Sequence, residues 1–203
     1  MKKRLILVGK AASGKDHARK IYEALGLKYA VSYTTRPPRE GEVDGKDYFF
    51  IDSNEFNSMI NRDLMYEYVV FNDWYYGTSQ KQMFDDKVFI MTPKGLAHLD
   101  PSDREESYVV YFDIPEDIRR KRIEERVGNA DSIDRRIEAD EIDFADFTNY
   151  DHVILTPDFT KDLLIDLVKK NIELNLDNSE EIYPNRRTIS RRDYINNKLN
   201  KIQ

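Results

Sequence analysis

Short apolar runs recur along the chain and alternate with stretches of helical character. Four runs have the length and continuity of strands that are buried on both faces, at residues 5–8, 88–91, 108–112 and 152–155. Helical stretches lie between and after these runs, among them residues 16–25, 116–147 and 158–174. The alternation predicts an α/β fold in which a parallel sheet carries crossover helices on both faces.

Residues 33–80 differ in character from the rest of the chain. They are rich in Tyr, Phe, Arg and Asp, and turn residues such as Gly41 and Gly45 separate short alternating segments. The pattern predicts an insertion of two strands and one helix, with Ser53 as the N-cap of a helix over residues 54–61. From about residue 175 the chain is polar, which leaves open a surface helix, a partner-binding arm or a disordered tail.

The composition narrows the class of protein. The 203 residues suit one compact domain, or one core with inserted subdomains. Acidic residues outnumber basic ones by 38 to 32, which argues against binding of nucleic acid or an anionic membrane over the whole surface, though not against a local basic cleft. The apolar runs are far shorter than a membrane span, and the chain has no cysteine. We therefore expect a cytoplasmic protein with no disulfide, no thiolate metal site, and no nucleic-acid or membrane partner.

A glycine-rich segment follows the first predicted strand directly. Residues 9–15 read GKAASGK and match the phosphate-binding pattern G-x-x-x-x-G-K, between a strand and a helix as that pattern requires. Glycines let the backbone turn tightly, so that successive N–H groups face phosphate oxygens, and Lys15 follows the charge during phosphoryl transfer. The alternative is an ordinary glycine-containing turn. The predicted ATP-binding residues are Gly9, Lys10, Ala11, Ala12, Ser13, Gly14, Lys15 and Asp16.

Two longer segments resemble the nucleotide-binding segments of guanylate kinases. They are residues 31–50, VSYTTRPPREGEVDGKDYFF, and residues 66–78, YEYVVFNDWYYGT. With the glycine-rich loop and the arginine-rich residues 119–136, the resemblance covers about residues 3–170. It implies a P-loop nucleoside monophosphate (NMP) kinase. The parts would be a core of residues 1–32, 81–115 and 148–174, a mixed α/β NMP-binding subdomain of residues 33–80, a helical lid of residues 116–147, and a C-terminal extension of unknown role at 175–203.

The acceptor residues of this resemblance also make chemical sense. Arg36 and Arg39 sit three apart in a proline-stiffened turn, where two guanidinium groups can converge on one phosphate. A carboxylate at Glu67 can accept both N1–H and N2–H of guanine, and adenine offers no such pair. By similarity, Ser32, Glu67 and Thr78 would read guanine, Arg36, Arg39, Tyr48 and Tyr76 would hold the monophosphate, and Gly77 belongs to the same GMP site. The alternatives are a core aromatic at Tyr76 and an edge-strand surface residue at Glu67.

Basic side chains cluster within residues 119–126 and again at residues 135–136 of an otherwise acidic protein. Charge runs of this kind are usually solvated helix faces, and nucleic-acid contact is a second alternative. In guanylate kinases the matching segment closes over both phosphates. Its arginines align with Arg122, Arg126 and Arg136, although the register leaves Arg135 as an alternative to Arg136. The resemblance therefore implies that Lys15, Arg122, Arg126 and Arg136 are the catalytic residues.

Two departures from the family pattern concern the metal and the base. Asp16 stands where a Ser or Thr hydroxyl would ligate Mg²⁺. In addition, Ile90 and Thr92 replace two aspartates at the end of a core strand. Because a carboxylate is a hard oxygen ligand, we hypothesise that Asp16 supplies the lost carboxylate and binds the Mg²⁺ cofactor.

The function that the resemblance implies is phosphoryl transfer from ATP to GMP or dGMP. One alternative is an NMP kinase with another or broader nucleotide or deoxynucleotide acceptor, which the loss of the two aspartates favours. The other is a non-catalytic guanylate-kinase-like domain that binds proteins. Lys15, both loop glycines, and the acceptor and lid arginines are all present, which argues against a purely protein-binding domain.

Overall fold

A computed structural model describes residues 1–71, 73–125 and 132–172. The strands are β1 (Arg4–Gly9), β2 (Tyr33–Thr34), β3 (Phe49–Phe50), β4 (Met65–Phe71), β5 (Trp74–Ser79), β6 (Val88–Ile90), β7 (Ser107–Phe112) and β8 (His152–Ile154). The helices are α1 (Lys15–Ala24), α2 (Ser53–Asn61), α3 (Gln80–Asp85), α4 (Pro93–Ala97), α5 (Pro101–Glu105), α6 (Glu116–Glu124), α7 (Ile133–Phe144) and α8 (Lys161–Asn171). The strands divide between a core sheet and a second sheet in the insertion.

The core sheet has the strand order β6–β1–β7–β8, and all of its strand pairs are parallel. Within it, Leu5 of β1 lies between Val88 on β6 and Tyr108 on β7. Residues 5–8 are fully buried, because helices cover both faces of a parallel sheet. The predicted parallel α/β core is therefore confirmed. Its carboxyl edge, where β1 ends at Gly9, is the edge at which such sheets bind ligands.

Helices cover the two faces of the core sheet, as predicted. On one face, the odd-numbered apolar side chains of β1 share a buried cluster with Tyr22 of α1 and Leu164 of α8. On the other face, the even-numbered side chains share a cluster with Met83 of α3, Leu96 of α4 and Phe144 of α7. Because these apolar layers fix the strands, the loops at the carboxyl edge start from a rigid support.

The insertion at residues 33–80 forms a sheet of its own, with the order β3–β2–β5–β4. The prediction of two strands is wrong, because β2 and β3 are two-residue strands, too short to show an alternating pattern. The predicted cap of α2 is also wrong. Asp52, rather than Ser53, has the extended backbone of an N-cap, and its carboxylate accepts the N–H of Glu55 at 2.8 Å.

The lid segment contains two helices, α6 and α7, so the prediction of helix over residues 116–147 holds for these two stretches. Residues 126–131 and 173–203, including the predicted C-terminal extension, lie outside the described part of the chain. Helix α8 begins at Lys161 rather than at residue 158, because Thr160 caps it by accepting the N–H of Leu163 at 3.2 Å. Over the described ranges, no helix is long and apolar enough to cross a membrane.

Candidate functional site

Residues 9–15, here called the phosphate loop, join the carboxyl end of β1 to α1. A Cβ on Gly9 would lie 2.8 Å from the carbonyl oxygen of Phe112, so only glycine fits beside β7. Gly14 is the N-cap of α1 and has a φ of 100°, a left-handed conformation that favours glycine. Lys15 Nζ donates to the carbonyl oxygens of Gly9 at 2.6 Å and Lys10 at 2.9 Å. The lysine therefore lies folded across a loop whose N–H groups suit an anion.

A cavity of about 730 Å³ adjoins the phosphate loop. It is also bordered by the second sheet, by the end of β6 and by α7, and its size suits a nucleotide-sized ligand. The predicted site residues that line it are Gly9, Ala11, Lys15, Ser32, Arg36, Arg39, Tyr48, Glu67, Tyr76, Gly77 and Arg136. The predicted residues that do not line it are Lys10, Ala12, Ser13, Gly14, Asp16, Thr78 and Arg122. Arg126 lies outside the described residues.

Arg36 is a buried residue of the cavity wall, where Glu42 holds it. Its Nη2 donates to both carboxylate oxygens of Glu42 at 2.9 Å, and its Nη1 donates to the carbonyl oxygen of Pro37 at 2.6 Å. The same carboxylate accepts the backbone N–H of Arg39 at 2.7 Å. The guanidinium also lies over the ring of Tyr48, 5.4 Å from its centroid. Glu42 thus holds both ends of residues 36–39, here called the arginine turn.

Two tyrosines border the same end of the cavity. The rings of Tyr48 and Tyr76 meet edge to face, with their centroids 6.0 Å apart. Burial, and to a smaller extent the charge of Asp16, raises the pKa of Tyr48 to about 12. Its hydroxyl group therefore stays protonated near neutral pH and can donate to an anion. Because Tyr76 lines the cavity rather than filling a core, the alternative of a core aromatic does not hold for it.

Glu67 also lines the cavity, from β4 of the second sheet. It lies on the edge strand β4, yet it is only 7% exposed and lines the cavity, so the alternative of a surface residue does not hold. Its carboxylate accepts hydrogen bonds from the hydroxyl and the backbone N–H of Thr78, its neighbour on β5. Burial outweighs these bonds and raises the pKa of Glu67 to about 7. The group is thus a buried acceptor that titrates near neutral pH.

Arginines of the predicted lid segment lie at the phosphate loop, on α6, or line the cavity, on α7. Arg122 donates through Nη1 to the carbonyl oxygen of Ala12 at 3.1 Å and through Nη2 to that of Pro157 at 3.4 Å, so it joins the loop to the segment after β8. Arg135 and Arg136 both line the cavity from α7. The sequence left Arg135 and Arg136 as alternatives for one lid position. The structure does not choose between them, because both side chains line the cavity.

Most of the chain matches one family of known proteins. The family model described as guanylate kinase matches residues 1–173 of this chain. The chain belongs to the guanylate kinase family. The resemblance noted in the sequence is thereby confirmed, and the protein is an ATP-dependent NMP kinase by its family.

Individual guanylate kinases agree with the family model. One from Geobacter metallireducens is 33% identical over 144 residues, which cover 66% of this chain and 70% of the relative. One from Ehrlichia canis is 35% identical over 140 residues, which cover 65% of this chain and 66% of the relative. The crystal structure of guanylate kinase from Anaplasma phagocytophilum has a TM-score of 0.65 at 22% identity and covers 85% of this chain and 88% of that one. The predicted P-loop kinase fold is therefore confirmed.

Kinases of the guanylate kinase family use a divalent cation to neutralise the phosphates. Asp16 lies in the first turn of α1, its side chain is 65% exposed, and its Oδ1 is 3.7 Å from Nε of Arg19. A cation such as Mg²⁺ keeps several waters and takes one or two carboxylates together with substrate phosphates, so one accessible carboxylate fits its needs. In the described ranges no group of three or more acidic or histidine side chains gathers as a self-contained metal site.

Three residues that the sequence analysis did not assign touch this guanylate kinase site. Glu42 holds Arg36, and Asp140 of α7 accepts the N–H of Ala11 in the phosphate loop at 2.7 Å. Gly95 of α4 lies against Glu67, since a Cβ there would be 2.9 Å from Oε2 of that carboxylate. Glu42 stands inside the segment that resembles guanylate kinases, so a search for partners of the arginines could have found it. The other two carry no motif signal.

Substitution of Gly95 by alanine should weaken binding of the NMP acceptor. The added Cβ would push the Glu67 carboxylate from its place, and α4 cannot yield easily because Thr92 caps it by accepting the N–H of Gly95 at 3.0 Å. We expect the KM for the acceptor to rise about tenfold, which corresponds to one displaced hydrogen bond, with the KM for ATP unchanged. Steady-state kinetics with each substrate varied in turn measures both constants.

The matched control is Ala97→Gly, which changes an exposed position on the same short helix. It lowers helix propensity without approaching Glu67, so the KM for the acceptor should stay within about twofold. Equal effects of the two variants would show that α4 responds to stability alone.

Proposed function

We propose that this protein transfers the γ-phosphoryl group of ATP to GMP or dGMP, forming ADP and GDP or dGDP. One observation carries the proposal: the phosphate loop, the arginine turn and the lid arginines on α7 border a single cavity, so two anionic ligands can meet there end to end. In this scheme residues 1–32, 81–115 and 148–174 form the core, residues 33–80 bind the acceptor and residues 116–147 form the lid.

The proposed reaction needs no general base. An oxygen of the acceptor monophosphate attacks the γ-phosphorus of ATP, and the bond from that phosphorus to the β–γ bridging oxygen breaks, with its electron pair leaving on ADP. The attacking oxygen is already anionic, so no proton has to be removed. Catalysis therefore consists of holding the two phosphates in line and stabilising the charge that moves between them.

The donor side would be the phosphate loop. Its N–H groups, other than that of Ala11, which bonds Asp140, and the N-terminus of α1 would hold the β- and γ-phosphates of ATP, with contacts along residues 9–16. Lys15 would exchange the carbonyl oxygens of Gly9 and Lys10 for phosphate oxygens. Arg122, which already bonds Ala12, and Arg136 would stabilise the transferring group. Arg126 enters the proposal from the sequence alone.

The acceptor side would be the pocket between the arginine turn and Glu67. The phosphate of GMP would bind Arg36, Arg39, Tyr48 and Tyr76, with Ser32 and Gly77 along the wall and Thr78 behind Glu67. Glu67 offers two acceptor oxygens for N1–H and N2–H of guanine. Adenine offers no such pair of donors to that buried carboxylate, at a cost of roughly 1–3 kcal/mol for each hydrogen bond that guanine would make.

Mg²⁺ is the cation that we propose for this reaction, with Asp16 as its protein ligand. When bound, it would neutralise charge on the β- and γ-phosphates. The exposure of the Asp16 carboxylate at the start of α1 supports the assignment, because the ion also needs room for several waters. We also propose a cytoplasmic location, which suits a chain without cysteine.

The test is release of ADP from ATP and Mg²⁺ in the presence of each common nucleoside monophosphate and deoxynucleoside monophosphate in turn. GMP or dGMP should give a kcat/KM at least about a hundredfold above that of AMP, the cost of two unmatched hydrogen bonds. Turnover with a different acceptor would favour the alternative of a kinase with a broader acceptor range. The replacement of two family aspartates by Ile90 and Thr92 is consistent with that alternative. If no acceptor gives turnover, the alternative of a non-catalytic domain that binds proteins would be favoured.

GMP should bind more tightly as the pH rises through about 7. Burial raises the pKa of Glu67 to about 7, and the two N–H donors of guanine require its ionised form. Below that pKa a proton must leave Glu67 before GMP binds, so the dissociation constant should rise about tenfold for each unit by which the pH is lowered. Above that pKa the dissociation constant should no longer change with pH. Calorimetric titration of GMP between about pH 5.5 and about pH 8.5 measures this curve.

Glu67→Gln is the control for this pH dependence. It removes the titrating group, so only the slope from the second ionisation of the acceptor phosphate, near pH 6, should remain. An equal slope in both proteins would contradict the assignment of Glu67 to the base.

A further inference from the structure

Asp140 ties the lid helix α7 to the phosphate loop. Its Oδ2 accepts the backbone N–H of Ala11 at 2.7 Å and Nη1 of Arg119 at 3.1 Å. The residue is only 9% exposed and lines the cavity beside the loop. A buried carboxylate costs free energy unless it is paired, and these two donors supply the pairing. The contact is therefore a specific joint between two parts of the proposed active site.

Arg119 of α6 makes this joint rigid. It is 1% exposed, and it donates through Nε to the carbonyl oxygen of Ile114 at 3.0 Å and through Nη2 to Glu141 at 3.1 Å. Glu141 also accepts from Lys10 of the loop at 2.7 Å, but its side chain is half exposed. Of these two neighbouring acids on α7, Asp140 is thus the buried one and the one that bonds a loop N–H.

Asp140 and the lid arginine Arg136 lie on the same face of α7. They are four residues apart in a continuous helix, so their side chains are neighbours along one stripe, and both line the cavity. Because Asp140 is bonded to Ala11, the position of Arg136 relative to the phosphate loop follows from the helix geometry. A shift of α7 on the loop would move the guanidinium group by a similar distance.

We propose that Asp140 is a positioning residue for phosphoryl transfer: its bond to the N–H of Ala11 holds α7 where Arg136 reaches the transferring group. The inference rests on the proposed function, since it requires Arg136 to stabilise that group. Asp140 itself touches neither substrate in this scheme. It acts through Arg136, and its removal should lower kcat rather than the affinity for GMP.

A double-mutant cycle tests this inference in the full chain, with Asp140→Ala, Arg136→Ala and the two combined. Asp140→Ala should lower kcat about tenfold to a hundredfold, the effect of misplacing a catalytic group by about 1 Å. The dissociation constant for GMP should stay within about twofold. When Arg136 is already alanine, adding Asp140→Ala should change kcat by less than about twofold, because the side chain that it positions is gone.

Two further variants separate positioning from folding. Asp140→Asn keeps an acceptor for the N–H of Ala11, so its kcat should lie between those of the wild type and Asp140→Ala even if the alanine variant folds poorly. Glu141→Gln alters a neighbouring contact of the same Arg119, and one with the Lys10 side chain, without touching a backbone N–H of the loop. Its kcat should stay within about twofold of the wild type.

Equal loss of kcat from Asp140→Ala in both backgrounds would overturn the inference and leave Asp140 with a structural role. Tighter binding of ATP by Asp140→Ala would overturn it too, because the carboxylate would then be competing with phosphate for the loop. The single variant Arg136→Ala separates this inference from the proposed function. If it keeps the full kcat, the proposed role of Arg136 fails and the inference fails with it. If Arg136→Ala lowers kcat, and the loss in the double variant equals the product of the losses from Asp140→Ala and Arg136→Ala, only the positioning inference fails.

Discussion

Lys15→Met should lower kcat by about a thousandfold or more, with the fold unchanged. The Lys15 ammonium group lies across the phosphate loop, bonded to two loop carbonyl oxygens, and borders the cavity. In the proposed reaction it follows the charge of the γ-phosphate in a site that excludes water. Removing one neutral donor from such a site costs about 10²–10³ in rate, and a cation on a transferring phosphoryl group is worth about 10³–10⁵. ADP release at saturating ATP and GMP measures the loss.

Lys20→Met is the matched control for this substitution. Lys20 is an exposed lysine on the same helix, so the change in net charge is identical and kcat should stay within about twofold. Thermal unfolding of both variants checks the fold. A Lys15→Met protein that keeps about a tenth or more of its activity would show that residues 9–15 are not the donor site.

Arg36→Met should weaken GMP binding by more than about a hundredfold. The substitution removes a proposed phosphate contact, and it also leaves the carboxylate of Glu42 without its charged partner beside the proposed phosphate site. Loss of one partner from a buried, hydrogen-bonded charge pair costs about 2–5 kcal/mol, and each 1.4 kcal/mol is a tenfold change in a dissociation constant. Calorimetric titration with GMP measures the effect, and the KM for ATP should not change.

Two variants show where the effect of Arg36→Met comes from. Adding Glu42→Gln removes the unpaired charge, so the double variant should recover about tenfold of the lost affinity. Arg62→Met removes an exposed arginine from the same insertion and should leave the dissociation constant within about twofold. An Arg36→Met protein that binds GMP nearly as well as the wild type would place the acceptor phosphate elsewhere.

The core strands could be predicted from the sequence because they are buried on both faces. Each of β1, β6, β7 and β8 lies within one residue of a predicted apolar run at either end. The insertion could not be predicted in full, because β2 and β3 exist through pairing rather than through an apolar pattern. The N–H of Phe49, for example, donates to the carbonyl oxygen of Ser32 at 2.9 Å, a contact between two distant segments.

The same distinction separates the assigned site residues from those that were missed. The phosphate loop and the arginine turn carry their chemistry in neighbouring residues, so their spacing is visible in the sequence. Asp140 meets Ala11 across 129 positions, and only the packing of α7 brings them together. Glu42 is only six positions from Arg36, so a search for partners of the arginines could have found it, but the contact itself becomes visible only in the structure.

Two glycines fix the acceptor pocket, and this limits how the enzyme could be re-engineered. A Cβ on Gly77 would lie 2.6 Å from the backbone oxygen of Glu67, and one on Gly95 would lie 2.9 Å from its carboxylate. Ile90 and Thr92 border the cavity, and Ser, Asn or Asp at position 92 would still cap α4. Selection or design could therefore change the proposed base preference at positions 90 and 92, while Glu67 keeps the place that the two glycines set.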